Sequence, residues 1–199
     1  MTHHGLNVVA AIGIAACWGA VLAAWLAAAA HDAAGAPRQR TSRRFIPAGP
    51  VAAVVTAVSF AVPVADWRPV ESHAAWIRLL GLAILLAATV LTLRAKFVLG
   101  AMWSLAPAVR QEHELRTGGP YGVTRHPIYT GLLGMILGTG LLAGGGRWIL
   151  QFPVFLVLFE FKIRIEEQLM LAEFPQDYPA YRRRVPRLIP GLRLPNMRK

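Results

Sequence analysis

Five apolar stretches constrain this chain more than anything else in it: residues 7–30, 46–65, 74–93, 128–143 and 148–161. Each is close to the ~20 residues needed to cross about 30 Å of hydrocarbon. In lipid the backbone N–H and C=O groups have to be bonded within their own segment, so all five are read as α-helices. Composition agrees, since 55% of the residues are hydrophobic and 16% are charged, against roughly a quarter charged in an ordinary soluble domain. The expected class is an all-α integral membrane protein with about five transmembrane helices. The first stretch is read as a span and not as a cleaved signal, because no Lys or Arg precedes it and it is long for the apolar core of a signal.

A formal charge of +11 invites a nucleic-acid reading, but the positions of the charges argue against it. Of the 21 Lys and Arg residues, all but Arg68, Arg78 and Arg147 follow the first, third or fifth stretch. That asymmetry places those loops in the cytoplasm, the N-terminus outside and the C-terminus inside. Attraction to anionic headgroups accounts for the charge, so membrane lipids are expected partners and nucleic acid is not. Cys17 is the sole cysteine, which excludes an intramolecular disulfide and a cysteine metal cluster. His3, His4, His31 and His73 lack metal-ligand spacing, and no metal is expected.

Residues 1–93 read as scaffold spans and 94–199 as the half that carries chemistry. Residues 35–50, rich in Pro and Arg, form a polar loop. Phe97–Val109 is expected as an interfacial helix, followed by a turn at Thr117-Gly118-Gly119-Pro120-Tyr121 where backbone can approach a ligand closely. The fourth and fifth spans form a hairpin through Gly144-Gly145-Gly146-Arg147. At 1.5 Å per residue, His126 and Glu166 both lie roughly 30 Å from that turn and should meet at the cytoplasmic surface. Gly131, Gly134 and Gly138 share a face of the fourth span, a spacing for close helix contact that is assigned here to the fifth span. Pro175 and Pro179 around Tyr178 predict a break in the tail helix.

Three polar clusters should therefore converge at one membrane face: Glu112, His113 and Glu114; Tyr121 to Tyr129 with Arg125 and His126; and Arg164, Glu166 and Glu167. Ionisable groups there are costly unless paired or hydrated, so the cluster is a candidate site. The alternative is a set of interfacial salt bridges, with His126 merely capping the helix that starts at Pro127. Glu166 and Glu167 lie about 100° apart on a helix and cannot face the same way. Glu167 aligns with Glu160 and Arg164 and is the preferred ligand, with Glu166 assigned to the arginines of the tail.

The ordered run Gly119-Pro120-Tyr121, Arg125-His126-Pro127, Tyr129 and Gly131, then Glu166-Glu167, then Phe174, Tyr178, Tyr181, Val185, Arg187, Ile189 and Pro190, resembles the isoprenylcysteine carboxyl methyltransferase family of membrane enzymes. Related phospholipid methyltransferases share much of the pattern. The resemblance covers roughly residues 91–192, and Gly122 departs from the basic or aromatic residue usual after the turn. It implies that S-adenosylmethionine binds in a cytoplasm-facing pocket covered by the tail. His113 and Leu115 would line the adenosine side, with Tyr121, His126, Tyr129 and Glu167 holding the cofactor, and by charge Arg125 suits the cofactor's carboxylate. Arg164 would orient an acceptor carboxylate, and Glu166 would take a proton from an acceptor that needs to lose one.

The function implied is methyl transfer to a lipophilic acceptor that enters sideways from the bilayer, such as an isoprenylcysteine-type carboxylate, a phospholipid or a small thiol. Two other readings remain: a nicotinamide-dependent reductase of the sterol-reductase type, and a non-enzymatic membrane scaffold.

Overall fold

The computed structural model describes residues 3–33, 39–41, 54, 57, 61, 67, 71–72, 74–100, 108–110, 115–146 and 148–191. Most of the second expected span lies outside these residues. The described elements are α1 (His3–Ala33), β1 (Gln39–Thr41), α2 (Ala75–Leu99), β2 (Ala108–Arg110), α3 (Pro120–Val123), α4 (Pro127–Ala143), α5 (Trp148–Glu173) and α6 (Asp177–Arg184). Among the described residues the architecture is helical except for one antiparallel ribbon, in which Gln39 to Thr41 pair with Arg110 to Ala108. Of the expected interfacial helix over Phe97–Val109, the first residues continue α2 and the last two lie in β2, while residues 101–107 lie outside the described residues.

The outward faces of the long helices are apolar. Val8, Val9, Ile12, Leu22 and Leu26 are exposed on α1, and Leu79, Leu80, Leu86, Val90 and Phe97 on α2. In water such surface would cost about 25 cal/mol per Å²; against lipid it costs nothing. Asn7–Ala30 and Ala75–Leu99 are long and apolar enough to cross a membrane, and Pro127–Ala143 is a shorter apolar helix. Exposed apolar flanks on helices of this length mark an integral membrane protein.

With lipid outside, the helices associate through small residues and a few buried polar groups. On α2, Arg78, Gly81, Leu85, Ala88, Thr92 and Ala95 form a buried stripe with helical spacing. It meets the glycine face of α4. A methyl group added at Gly138 would lie 2.6 Å from the Leu85 amide nitrogen, one at Gly131 would lie 2.1 Å from Thr92 Oγ1, and one at Gly134 would lie 2.8 Å from the Ala88 side chain. The partner of the glycine face is thus α2, the third span, and not the fifth as expected. Both surfaces are small-residue stripes, so the two backbones approach more closely than an α4–α5 contact through Phe and Tyr rings would allow.

Polar groups on these faces bond either one turn back along their own helix or across to a neighbouring one. Thr89 and Thr92 donate to the Leu85 and Ala88 carbonyls one turn back (2.7 and 2.8 Å), and Trp18 Nε1 on α1 donates to Thr139 Oγ1 on α4 (3.0 Å). Buried Arg78 donates from Nε to the Leu142 carbonyl (3.2 Å), where its charge complements the C-terminal end of α4.

The α4–α5 hairpin closes as the glycines predict. Gly144, Gly145 and Gly146 all have positive φ (100°, 88° and 59°), and the Gly144 and Gly145 amides return to the last carbonyls of α4. From the turn outward, Gly140 faces Trp148, Tyr129 faces Phe159 and His126 faces Glu167, so the helices run antiparallel along their length. The tail breaks after Glu173, and Pro179 falls in the first turn of α6, where no amide donor is required.

Candidate active site

The site is built where the open end of the hairpin is crossed by the tail. Gly119 takes φ +59° to start α3, and Pro120 occupies its first position. This directs Tyr121 inward, with its hydroxyl towards the Ala95 carbonyl at the end of α2 (3.4 Å). Thr124 is extended, and the chain then bends at Arg125 before His126 leads into Pro127, the first residue of α4.

The tail is laced to this segment through the backbone. The Arg125 and His126 amides donate to the Pro186 and Arg187 carbonyls (2.8 and 3.2 Å). Thr124 and Thr130 hydroxyls donate to the Arg187 and Leu188 carbonyls (2.8 and 2.6 Å). Tyr181 donates from its hydroxyl to the Tyr121 carbonyl (2.7 Å). The two threonines had no expected role, because a hydroxyl serving a carbonyl some sixty residues away leaves no local sequence signal.

Glu167 is the hub. Arg125 donates from Nε and Nη2 to its Oε1 (3.0 and 2.7 Å), and His126 Nε2 lies 3.4 Å from the same oxygen. Arg187 Nε and Arg182 Nε approach to 3.6 and 4.0 Å. The remaining donor of the Arg125 fork, Nη1, reaches the Arg182 and Val185 carbonyls (3.1 and 2.6 Å). Both partners are buried, with side chains 8% and 9% exposed. Burial by itself would push the Glu167 carboxyl up, but the hydrogen bond and charge of His126, together with Arg125, outweigh it and pull it down to about 2.

The native carboxyl therefore gives up its proton more readily than an unfolded one. Its ion pairs contribute fully above the ordinary value of 4.5 and are lost as pH falls from there towards about 2. Thermal melts of detergent-solubilised protein should fall over that window, and Glu167→Gln should flatten the fall.

Glu166 faces the other way. Its Oε1 accepts from the Tyr129 hydroxyl (2.5 Å), and its Oε2 lies 3.7 Å from His126 Nδ1. This reverses the expected division of labour: Glu167 takes the tail arginines, and Glu166, a quarter exposed, takes the tyrosine and histidine. The 100° step between them follows from sequence spacing; the roll of α5 that decides which acid faces which way does not. His126 starts α4 by its backbone, but its ring makes no capping bond and sits between the two acids. Capping is therefore not the role of this side chain.

Glu160 and Arg164 share a face with Glu167 as expected: Glu160 Oε1 accepts from Arg164 Nε (3.1 Å) and from Arg187 Nη1 (2.5 Å). Arg164 itself is 59% exposed, on the opposite side of α5 from Lys162, whose ammonium lies 5.5 Å over the Tyr129 ring. Leu115 is half-buried ahead of the glycine turn. His113, with Glu112 and Glu114, lies outside the described residues. Tyr178 and Tyr181 are buried and packed edge to face. Burial pushes the Tyr181 hydroxyl up to about 12, and burial with the nearby Glu166 charge pushes Tyr121 up as well, so both remain hydroxyl donors at neutral pH.

Comparison with known proteins adds a lineage to this geometry. The sequence profile of the family described as "Phospholipid methyltransferase" matches residues 76–177, just over half of the chain. The chain belongs to the phospholipid methyltransferase family. Within it, the motif-based resemblance to isoprenylcysteine methyltransferases is supported by two likenesses. The protein-S-isoprenylcysteine O-methyltransferase of Schizosaccharomyces pombe is 39% identical over 83 residues, covering 40% of this chain and 34% of that one. The solved structure of a eukaryotic intramembrane Ras methyltransferase, an isoprenylcysteine carboxyl methyltransferase, superposes with a TM-score of 0.60 at 26% identity, covering 73% of this chain and 53% of that one.

A cobalt-zinc-cadmium resistance protein of Cupriavidus metallidurans is also similar, 33% identical over 100 residues that make up 48% of this chain and 44% of that protein. The chain thus spans from a third to about half of the length of these relatives. Every described member of the candidate site from Tyr121 to Glu167 falls inside the family match.

Proposed function

We propose that this phospholipid methyltransferase family member transfers a methyl group from S-adenosylmethionine to a lipophilic acceptor, with an isoprenylcysteine-type carboxylate as the leading acceptor class. The observation that carries the reading is the juxtaposition of Tyr129, His126 and Glu166 at the open end of the α4–α5 hairpin, beneath a tail bonded to the same loop. Such a donor set fits the cofactor. A partly exposed carboxylate such as Glu166 suits a cationic head, and added methyl groups at Gly118 and Gly119 would meet nothing closer than 3.7 Å, so backbone is open at the turn. Bound there, S-adenosylmethionine supplies a methyl carbon activated by a sulfonium.

In this reading Tyr121, His126, Tyr129 and Glu166 line the cofactor side, with Leu115 and His113 at the adenosine end. Arg125 and Glu167 hold the tail in place over it. A carboxylate acceptor is already a nucleophile at neutral pH, so the residues need only align and dehydrate the reactants; for an amine or hydroxyl, Glu166 would receive the proton. Residues 1–93 serve as scaffold and 94–199 as the cofactor-binding half. Five spans, an outer N-terminus and a cytoplasmic site complete the assignment, supported by the one-sided distribution of Lys and Arg.

Calorimetry on the purified chain tests the proposal. S-adenosylmethionine and its demethylated product should bind, and Tyr129→Phe and His126→Ala should each weaken binding at least tenfold, the loss expected for a hydrogen bond to a charged group. Tight binding of a reduced nicotinamide dinucleotide, with none of either sulfur compound, would replace methyl transfer by the reductase reading.

A further inference from the structure

The positive charge gathered where the tail crosses the hairpin exceeds the negative charge that meets it. Glu167 faces Arg125, Arg187 and Arg182 (2.7, 3.6 and 4.0 Å), and Glu160 faces Arg187 and Arg164 (2.5 and 3.1 Å). Arg183 and Arg184 extend the run in the last turn of α6. Buried Tyr178 and Tyr181 fix the inner face of that helix, so Arg182 is half-buried while Arg183 and Arg184 turn outward and are exposed. Six arginines thus gather around two carboxylates, and among the described residues no other acid lies within ion-pair distance of them. Asp177 and Glu173 are exposed at the other end of α6 and before it. Like charges held this close oppose docking of the tail unless an anion joins them.

The tail also lies level with the lipid-facing end of α2. A methyl added at Gly119 would sit 3.7 Å from Val98 Cγ2, the Tyr121 hydroxyl reaches the Ala95 carbonyl, and the Tyr181 hydroxyl on α6 donates to the Tyr121 carbonyl. Phe97 and Val98 are exposed in the last turn of α2, and Val123 and Ile189 are exposed on the loop and on the tail laced to it. Exposed apolar side chains among exposed cations are the pattern of a surface that sits at headgroup level.

We infer that Arg183 and Arg184 dock on the phosphates of anionic lipids, and that this contact holds the tail closed over the cofactor site. The overall charge bias only orients the chain, whereas this contact makes one site depend on the charge of the membrane. The inference rests on the methyl-transfer reading and deepens it by naming a regulator. A phosphate on the outward pair displaces nothing, because Arg125, Arg182 and Arg187 keep Glu167 and Glu160. It supplies the missing negative charge and so favours the docked tail. Docking is passed to the site through the Arg125 and His126 amides and the Thr124 and Thr130 hydroxyls, all bonded to tail carbonyls. A cofactor that binds under the closed tail is then held more tightly wherever closure is favoured.

The test measures S-adenosylhomocysteine binding to the full chain in nanodiscs of phosphatidylcholine, alone and mixed with phosphatidylglycerol. The wild-type chain should bind more tightly in the anionic discs by roughly five- to thirtyfold, about fivefold for each arginine at the surface, and high salt should shrink the difference. A chain carrying both Arg183→Gln and Arg184→Gln should bind equally in the two discs, and in neutral discs at least as tightly as wild type because the repulsion is relieved. Arg183→Lys with Arg184→Lys keeps the charge and should keep the difference. Wild-type binding that is equal in both discs, or a difference that survives the double glutamine change, overturns the inference and leaves methyl transfer standing. Equal tightening by inositol hexakisphosphate in neutral discs would assign the pair to a soluble phosphate and overturn lipid docking. A chain that binds S-adenosylhomocysteine in neither disc overturns the methyl-transfer reading and this one with it.

Discussion

Replacing Glu167 with glutamine is expected to release the tail. The substitution keeps the shape of the side chain and one acceptor oxygen but removes the charge on which Arg125, His126, Arg182 and Arg187 converge. Arg125 is buried and Arg187 nearly so, with side chains 8% and 21% exposed, so their charges would face one another across a neutral amide. Removing one partner of a buried ion pair typically costs about 3–5 kcal/mol, more than forming the pair contributed, because the charges left behind remain out of water.

The loss should appear first as undocking of residues 182–188, since the Arg125 guanidinium that loses its anchor also holds the Arg182 and Val185 carbonyls. Trypsin should then cut at Arg182–Arg184 faster than in the wild-type chain, and the thermal midpoint in detergent should fall by several degrees. Glu173→Gln, an exposed position at the end of the same helix, serves as the control. Equal cleavage rates and equal midpoints in Glu167→Gln and wild type would show that the hub is not what docks the tail.

Gly138→Val is expected to separate α4 from α2 and leave the protein largely aggregated on extraction. An added methyl at this position would lie 2.6 Å from the Leu85 nitrogen and 2.8 Å from the Gly81 carbonyl oxygen. Both are helix backbone atoms, so no rotamer change relieves the clash and one whole helix must move. Overpacking in a core costs about 1–3 kcal/mol when side chains can yield, and here they cannot. The reciprocal change, Gly81→Ala, would bring a methyl to 2.5 Å from the Leu142 nitrogen and should behave alike. At Gly19 on α1 an added methyl meets nothing within 4 Å, so Gly19→Ala should be neutral or gain up to about 1 kcal/mol of helix propensity. Size-exclusion profiles of the three variants in one detergent decide the matter; a monodisperse Gly138→Val would mean that the close approach of α2 and α4 is not required.

Much of this was legible along the chain because it depends on spacing. Hydrophobic runs of near-bilayer length, three glycines between two of them, and polar residues equally far from that turn on either side were enough to bring His126 beside Glu166 and Glu167. Spacing misled where two surfaces of the same kind competed, or where a rotation and not a distance mattered. The glycine stripe of α4 fitted any small-residue face, and only packing showed that Gly81, Leu85, Ala88 and Thr92 of α2 take it. The exchange of roles between Glu166 and Glu167 came from the roll of α5, which sets Phe159 against Tyr129 and turns Glu166 to the same side.

By itself, then, the order of residues determined the solvent of this protein, its helical character and the end of the hairpin at which its polar groups gather, because each follows from hydropathy and a fixed rise per residue. Which helix faces which, which acid is buried among arginines and which looks towards the aromatic wall, and the lacing of the tail through Thr124, Thr130 and Tyr181 were decided by the tertiary structure alone. Those features depend on contacts between residues tens of positions apart, and on helix rotations that one-dimensional spacing does not encode.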